Sequence, residues 1–172
     1  DGGSMVMDGQ GRISQRAPAF EEGLYLARFR HGRNGLEPVP GEVAQIDAVA
    51  SVYQALVTGV RDYIGKNRFA GAIVGLSGGV DSALTVAVAA DALGAERVHA
   101  VMMPSPYTAD MSLEDARAEA EALGVRYSVI PISALAASLE KALAESFPGH
   151  PPHPTDETIP PPLRRLPSMA RP

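Results

Sequence analysis

Six consecutive residues, Ser77-Gly78-Gly79-Val80-Asp81-Ser82, combine groups suited to holding an anion. They lie between a short apolar run, residues 70–76, and a helix-like run, residues 82–93. A helix that follows such a turn points its free backbone N–H groups and positive dipole end back at the turn. Gly78 and Gly79 let the backbone approach a phosphate closely and take positive φ without strain. The hydroxyls of Ser77 and Ser82 can donate to phosphate oxygens. Asp81 or Ser82 can also cap the helix. Asp81 is the odd group, because a carboxylate about 4 Å from a phosphate charge is repelled by roughly 1–4 kcal/mol, depending on screening. A Mg2+ ion bridging Asp81 and phosphate reverses that sign. The loop therefore reads as a site for a nucleotide polyphosphate in its magnesium complex.

Two other phosphate loops do not fit. A Walker loop ends in Gly-Lys-Ser/Thr, and this turn has no lysine. A dinucleotide fingerprint needs Gly-x-Gly-x-x-Gly, a spacing that Ser77-Gly78-Gly79 lacks. A plain glycine turn with an Asp81 cap would explain any three of these residues. All six at one strand-to-helix junction favour phosphate binding.

The surrounding pattern must position this turn. Strand 70–76 leads to helix 82–93, strand 97–103 to helix 113–123, and strand 125–132 to helix 134–146. The strands are near-continuous apolar runs such as Val98-His99-Ala100-Val101-Met102-Met103, as in parallel sheets covered on both faces. The alternation predicts a doubly wound α/β fold with a parallel sheet. Gly94 and Gly124 read as left-handed helix stops, and Ser112-Leu113-Glu114-Asp115 as a capping box with Asp in place of Glu. Right-handed crossovers put strand 97–103 between 70–76 and 125–132. The free side of strand 70–76 then lacks a neighbour, an edge expected to promote aggregation.

Upstream, Ser4–Met7 and Arg12–Ser14 flank a hairpin-type turn at Asp8-Gly9-Gln10-Gly11. Residues 24–29 suggest another strand. Pro38, Pro40 and Gly41 mark a boundary. Residues 42–64 predict a long helix with an apolar stripe of Val43, Ile46, Ala50, Tyr53, Val57, Val60 and Ile64, stopped at Gly65. The chain divides into residues 1–40, residues 41–147, and a tail at 148–172. Nine of the fifteen prolines follow Phe147, with no helix or strand period, so the tail reads as disordered.

Composition limits the function classes. The 172 residues are 45% hydrophobic and 20% charged, with a net charge of −5. That balance argues against a nucleic-acid or anionic-membrane surface. No apolar run approaches the ~20 residues needed to span a bilayer. The absence of cysteine excludes disulfides, thiolate metal sites and a cysteine nucleophile within these residues, and fits a cytoplasmic location. His150 and His153 lack further metal partners in the tail. His99 reads as a satisfied core residue, and Met102 and Met103 as core or nucleotide lining.

The loop and its flanks also carry a resemblance. Ser-Gly-Gly-Val-Asp-Ser after a strand resembles the pyrophosphatase loop of the N-type ATP pyrophosphatases, which include NAD, GMP and asparagine synthetases. The wider set narrows this. Gly75-Leu76-Ser77-Gly78-Gly79-Val80-Asp81-Ser82-Ala83-Leu84, Asp91-Ala92-Leu93-Gly94, Val101-Met102-Met103-Pro104-Ser105-Pro106-Tyr107-Thr108 and Leu113-Glu114-Asp115-Ala116 together resemble the glutamine-dependent NAD synthetases. Residues 1–29 look like the last strands of that family's nitrilase-like amidase domain.

The resemblance implies an adenine-nucleotide alpha-hydrolase-like fold and a carbon–nitrogen ligase of NAD biosynthesis. Gly75 to Ser82 would be the ATP loop and Asp81 the magnesium ligand. Deamido-NAD and ATP would form an adenylate and pyrophosphate, and ammonia from glutamine would displace AMP. Family members are expected to form homo-oligomers. The family's Glu-Lys-Cys amidase set and later Ser-Lys-Thr-Glu stretch do not occur here, so the chain reads as an internal fragment with catalytic residues unassigned. GMP synthetase, or a truncated non-catalytic nucleotide-binding protein, are the alternatives.

Overall fold

The structure, a computed structural model, describes residues 2–141 except 34, 46, 136, 139 and 140. The chain divides into two compact units, Asp1–Gly59 and Val60–Pro172, with the division inside its first helix.

The first unit begins with the expected hairpin. Strand β1, Met5–Met7, pairs antiparallel with β2, Ile13–Arg16. Asp8 shapes the turn between them. Its carboxylate accepts the Gln10 and Arg12 N–H groups at 2.9 Å each and the Arg12 Nε at 2.7 Å. The bond from the Arg12 backbone N–H is the foremost reason that this carboxyl ionises below its ordinary range.

The strand expected over 24–29 does not form. Leu24 and Leu26 are exposed, and the next strand is β3, Phe29–Gly32, paired antiparallel with β4, Gly35–Pro38. Asn34-Gly35 is a hairpin signal in the sequence, and Gly35 has φ +121°. That turn chemistry overrides the apolar alternation at Leu24 and Leu26.

Helix α1 is Ala48–Lys66, not 42–64. Residues 42–44 are held extended against β2 instead. Arg16 N–H donates to the Glu42 carbonyl at 3.0 Å, and Ala44 N–H donates to the Arg16 carbonyl at 3.1 Å. Asp47 then starts the helix, its carboxylate accepting the Ala50 N–H at 2.6 Å. The helix passes Gly65. Arg68, at φ +57°, makes the reversal, and Phe69 N–H closes onto the Ile64 carbonyl at 3.0 Å. Of the expected stripe, Val57 is buried and Tyr53, Val60 and Ile64 are half-buried, while Ala50 is exposed. Ile46 lies outside the described residues.

The second unit carries the alternating pattern. Strands β5 (Ala72–Gly75), β6 (Val98–Met102) and β7 (Arg126–Val129) form a parallel sheet in the order β5-β6-β7, as the crossover argument requires. Helices α2 (Val80–Leu93) and α3 (Asp110–Leu123) connect them. The core is Val98, Ala100, Val101 and Met102 of β6 with Val86, Ala89 and Leu93 of α2 and Ala116 and Ala120 of α3. β5 departs from the expected two-sided burial. It alternates half-buried and exposed residues, with Ile73 40% exposed. It is an edge strand, and among the described residues its only neighbour is β6. His99 is half-buried and bonds to the Ser128 hydroxyl at 2.8 Å across β6 and β7, as a satisfied core histidine would.

Arg97 joins the start of the sheet. Its guanidinium donates to the Ala70 carbonyl at 3.0 Å and to the Phe69 carbonyl at 2.9 Å. Beside it Gly71 lies so close that a Cβ would fall 3.1 Å from the Arg97 carbonyl carbon, and nearer still to its oxygen.

The two glycine stops differ. Gly124 is left-handed at φ 67°, ψ 20°, and Val125 N–H bonds back to the Ala120 carbonyl at 3.1 Å, a Schellman-type ending. Gly94 has φ 88° with ψ 143°, outside the expected left-handed well, because the chain turns directly into the 3₁₀ turn Ala95–Arg97. The expected capping box at Ser112 is also absent. Helix α3 begins at Asp110 with Ala109 at its cap and no side-chain cap bond. Helical residues appear at 133–135, 137, 138 and 141; the rest of the helix expected to 146 and the tail at 148–172 lie outside the described residues.

Replacing Gly94 by Ala is expected to destabilise the chain by about 1–3 kcal/mol, since only glycine readily adopts that conformation. The same change at Gly124 should cost roughly 1 kcal/mol. Urea unfolding of the two variants checks the order.

Candidate functional site

The candidate loop begins where β5 ends. Gly75 lies at the last strand position, where a Cβ would meet the Met103 Cε at 3.4 Å, about ordinary van der Waals contact. Leu76 is fully buried, and its N–H donates to the Val101 carbonyl at 3.0 Å. Pairing with β6 thus continues one residue past the strand and fixes the point at which the chain leaves the sheet.

From there the backbone reverses at Gly78, with φ +78°. A Cβ at this position would lie 2.7 Å from the Ser112 Cα and nearer still to the Ser112 carbonyl oxygen. Gly78 therefore needs glycine twice, for its dihedral and for its contact with the first turn of α3. Gly79 is the N-cap of α2, extended at φ −96°, ψ 154°, and no side chain caps the helix. The expectation that Asp81 or Ser82 caps α2 is not met, because both lie inside its first turn. The first intrahelical bond runs from Ala83 N–H to the Gly79 carbonyl at 3.1 Å. The N–H groups of Val80, Asp81 and Ser82 precede it and have no carbonyl within the helix to meet.

The serines lie together across the turn. Ser77 Oγ and Ser82 Oγ are 2.9 Å apart, Ser77 N–H donates to Ser82 Oγ at 3.1 Å, and Ser82 Oγ donates to the Gly79 carbonyl at 2.8 Å. Asp81 is exposed, and its carbonyl accepts the Thr85 hydroxyl at 2.8 Å. Val80, also in this first turn, is exposed. All eight sequence-predicted residues, Gly75 through Ser82, thus form one continuous strand-to-helix turn, in which Leu76 contributes backbone and core packing. Among the described residues, no group of three or more His, Cys, Asp or Glu could hold a metal. A lone exposed carboxylate fits Mg2+ when phosphates and waters supply the other ligands. Uncapped N–H donors and one acid in the first turn of α2 suit a metal-complexed polyphosphate, while the close approach of Gly78 is taken up by the Ser112 backbone.

The residues after β6 sit on the same side. Met102 and Met103 are buried, so packing accounts for both. The chain then turns at Ser105–Thr108, where Ser105 N–H donates to Thr108 Oγ1 at 2.9 Å and Thr108 N–H to the Ser105 carbonyl at 3.1 Å. This turn leads into α3 and brings Ser112 against Gly78. Sequence reasoning missed that role for Ser112. Pro104-Ser105-Pro106 and the Ser105-x-x-Thr108 spacing are the local signals for the turn that positions it.

Residues 52–150 match the family model described as NAD synthase. The chain belongs to the NAD synthase family. It is 40% identical over 92% of its length to a glutamine-dependent NAD(+) synthetase of Acinetobacter baylyi, and 41% identical over 99% of its length to one of Rhodobacter capsulatus. It spans 29% and 31% of those relatives. The solved glutamine-dependent NAD+ synthetase of Acinetobacter baumannii, in complex with ADP, superposes on 92% of the chain and 32% of its own length, with 38% identity and a TM-score of 0.81. The doubly wound α/β class expected from the strand–helix alternation is therefore the fold of this NAD synthase family member.

A Gly78→Ala substitution is expected to displace the loop, because the Ser112 backbone cannot yield as a side chain would. We expect unfolding stability to fall by about 1–3 kcal/mol. Amide chemical shifts should move in both Ser77–Ser82 and Asp110–Leu113, where a purely local strain would move only the first group.

Proposed function

We propose that Gly75 through Ser82 bind the phosphates of ATP in its magnesium complex, and that the chain contributes this ATP loop to an NAD-forming ligase. The observation that carries the reading is the uncapped start of α2 behind Gly78-Gly79, with Asp81 in its first turn. The A. baumannii relative, solved with ADP, supports an adenine nucleotide as ligand.

In this reading the N–H groups of Val80, Asp81 and Ser82 meet phosphate oxygens, while the dipole of α2 stabilises their charge. Asp81 is the residue that would hold Mg2+, and the ion would neutralise charge on the phosphates and the departing pyrophosphate. The deamido-NAD carboxylate attacks the α-phosphorus of ATP, pyrophosphate leaves, and ammonia then displaces AMP to give the amide of NAD. The fixed loop stabilises charge that develops during pyrophosphate departure without rearranging. The names of the relatives support glutamine as the ammonia source. Their names give no support to GMP synthetase as the alternative.

The domain assignment belongs to the same proposal. Residues 1–40 are taken as the end of an amidase domain with its linker and 41–147 as the first part of the synthetase domain, while 148–172 form a third segment that lies outside the described residues. So do a cytoplasmic location, homo-oligomer formation and the absence of nucleic-acid binding. No helix among the described residues is long and apolar enough to cross a membrane.

Titration calorimetry tests the loop, and a coupled assay of pyrophosphate and NAD from MgATP, deamido-NAD and ammonia tests turnover. Asp81→Asn is expected to weaken MgATP binding about tenfold or more, and to leave metal-free ATP unchanged or tighter, since repulsion is removed. Equal MgATP affinity in variant and parent would refute the assignment of Asp81. Binding without turnover would make this span a nucleotide-binding unit only.

A further inference from the structure

The hydrogen bonds within the turn give its two serines different tasks. Ser82 Oγ has three neighbours. The Gly79 carbonyl, at 2.8 Å, can only accept, so Ser82 donates its proton there. The Ser77 N–H, at 3.1 Å, can only donate, so it fills one Ser82 lone pair. The remaining neighbour is Ser77 Oγ, at 2.9 Å. With the Ser82 proton committed to Gly79, the Ser77 hydroxyl must be the donor of that bond. Ser82 is then saturated, with one donor and two acceptor positions in use. Ser77 is not. Its proton points to a partner that already has a second donor, and its other contact, from Gly79 N–H at 3.4 Å, is long for a hydrogen bond.

We propose that Ser82 is a positioning residue that clasps the turn, and that Ser77 alone offers its hydroxyl to phosphate. When a phosphate oxygen accepts the Ser77 proton, Ser82 keeps its bonds to Ser77 N–H and the Gly79 carbonyl. The clasp joins the end of β5 to the first turn of α2, so it holds the helix donors at a fixed distance from the strand. A phosphate contact by Ser82 would instead require its proton to leave Gly79 and open the turn. The task given to Ser77 rests on the polyphosphate reading above; the clasp itself does not.

The test uses the full chain as the parent and its Ser82→Ala, Ser82→Thr and Ser77→Ala variants, with two readouts. The first is exchange of the residue-77 amide without nucleotide, taken relative to the Ala120 amide so that any global loss of stability cancels. Ser82→Ala should speed it about fivefold to tenfold, the loss of one ordinary hydrogen bond. Ser82→Thr should restore the parent rate, and Ser77→Ala should stay within about twofold of it, because the N–H to Ser82 remains. The second readout is MgATP affinity by calorimetry. Ser82→Ala and Ser77→Ala should both weaken it by about fivefold or more, with recovery only in Ser82→Thr. Unchanged exchange in Ser82→Ala combined with weakened MgATP binding would overturn the proposal and make Ser82 a direct phosphate contact. If the parent chain does not bind MgATP, the polyphosphate reading and the task of Ser77 fail, while the exchange rates still decide whether Ser82 clasps the turn.

Discussion

At Gly78 two backbones meet with no side chain between them. The rest of the candidate site depends on this contact. The positive φ of Gly78 turns the chain out of the sheet, and the Ser112 backbone of α3 closes the space behind it. Any Cβ at this point would push the loop away from α3 or force α3 to move. The direction in which α2 sets out, and hence the direction of its free N–H groups, follows from that fixed reversal. The loop is therefore not a flexible glycine linker. It is a rigid corner braced from behind by a neighbouring helix.

The brace explains an otherwise odd feature of α3. Its first turn contains Ser112, a residue type that often caps helices, yet the helix begins earlier with Ala109 at the cap. The Ser105–Thr108 turn starts α3 early, and this delivers the Ser112 backbone to Gly78. Local capping preference yields here to the position that the loop needs.

What could be read from the sequence follows the same division between local and distant causes. The turn Ser77 to Ser82 was legible because its meaning lies in six adjacent residues at a change of hydrophobic period. The order β5-β6-β7 was legible because crossover handedness leaves few choices. The start of α1 was not. It is set by Arg16, which binds Glu42 and Ala44 from a remote strand and keeps them extended. The β3–β4 hairpin was missed for a different reason, since Asn34-Gly35 was present but the alternation at Leu24 and Leu26 drew the strand upstream. Gly94 was placed correctly as a stop, while its ψ depended on a 3₁₀ turn that no residue announces. The brace at Ser112 joins residues far apart in the chain, and no local pattern encodes it.

Gly71 gives the sheet a property that hydrophobic patterning alone cannot supply. Parallel strands resemble sliding rails, and near-uniform apolar runs offer little to stop them at one position. Gly71 is a notch that fits the Arg97 carbonyl, and it is flanked by Ala70 and Ala72. A slip of one step in either direction would drive an alanine methyl into that carbonyl. The notch thus acts as an alignment key at the foot of the sheet, and it helps to set where β5 ends at Gly75 and the Ser77–Ser82 turn begins at the top.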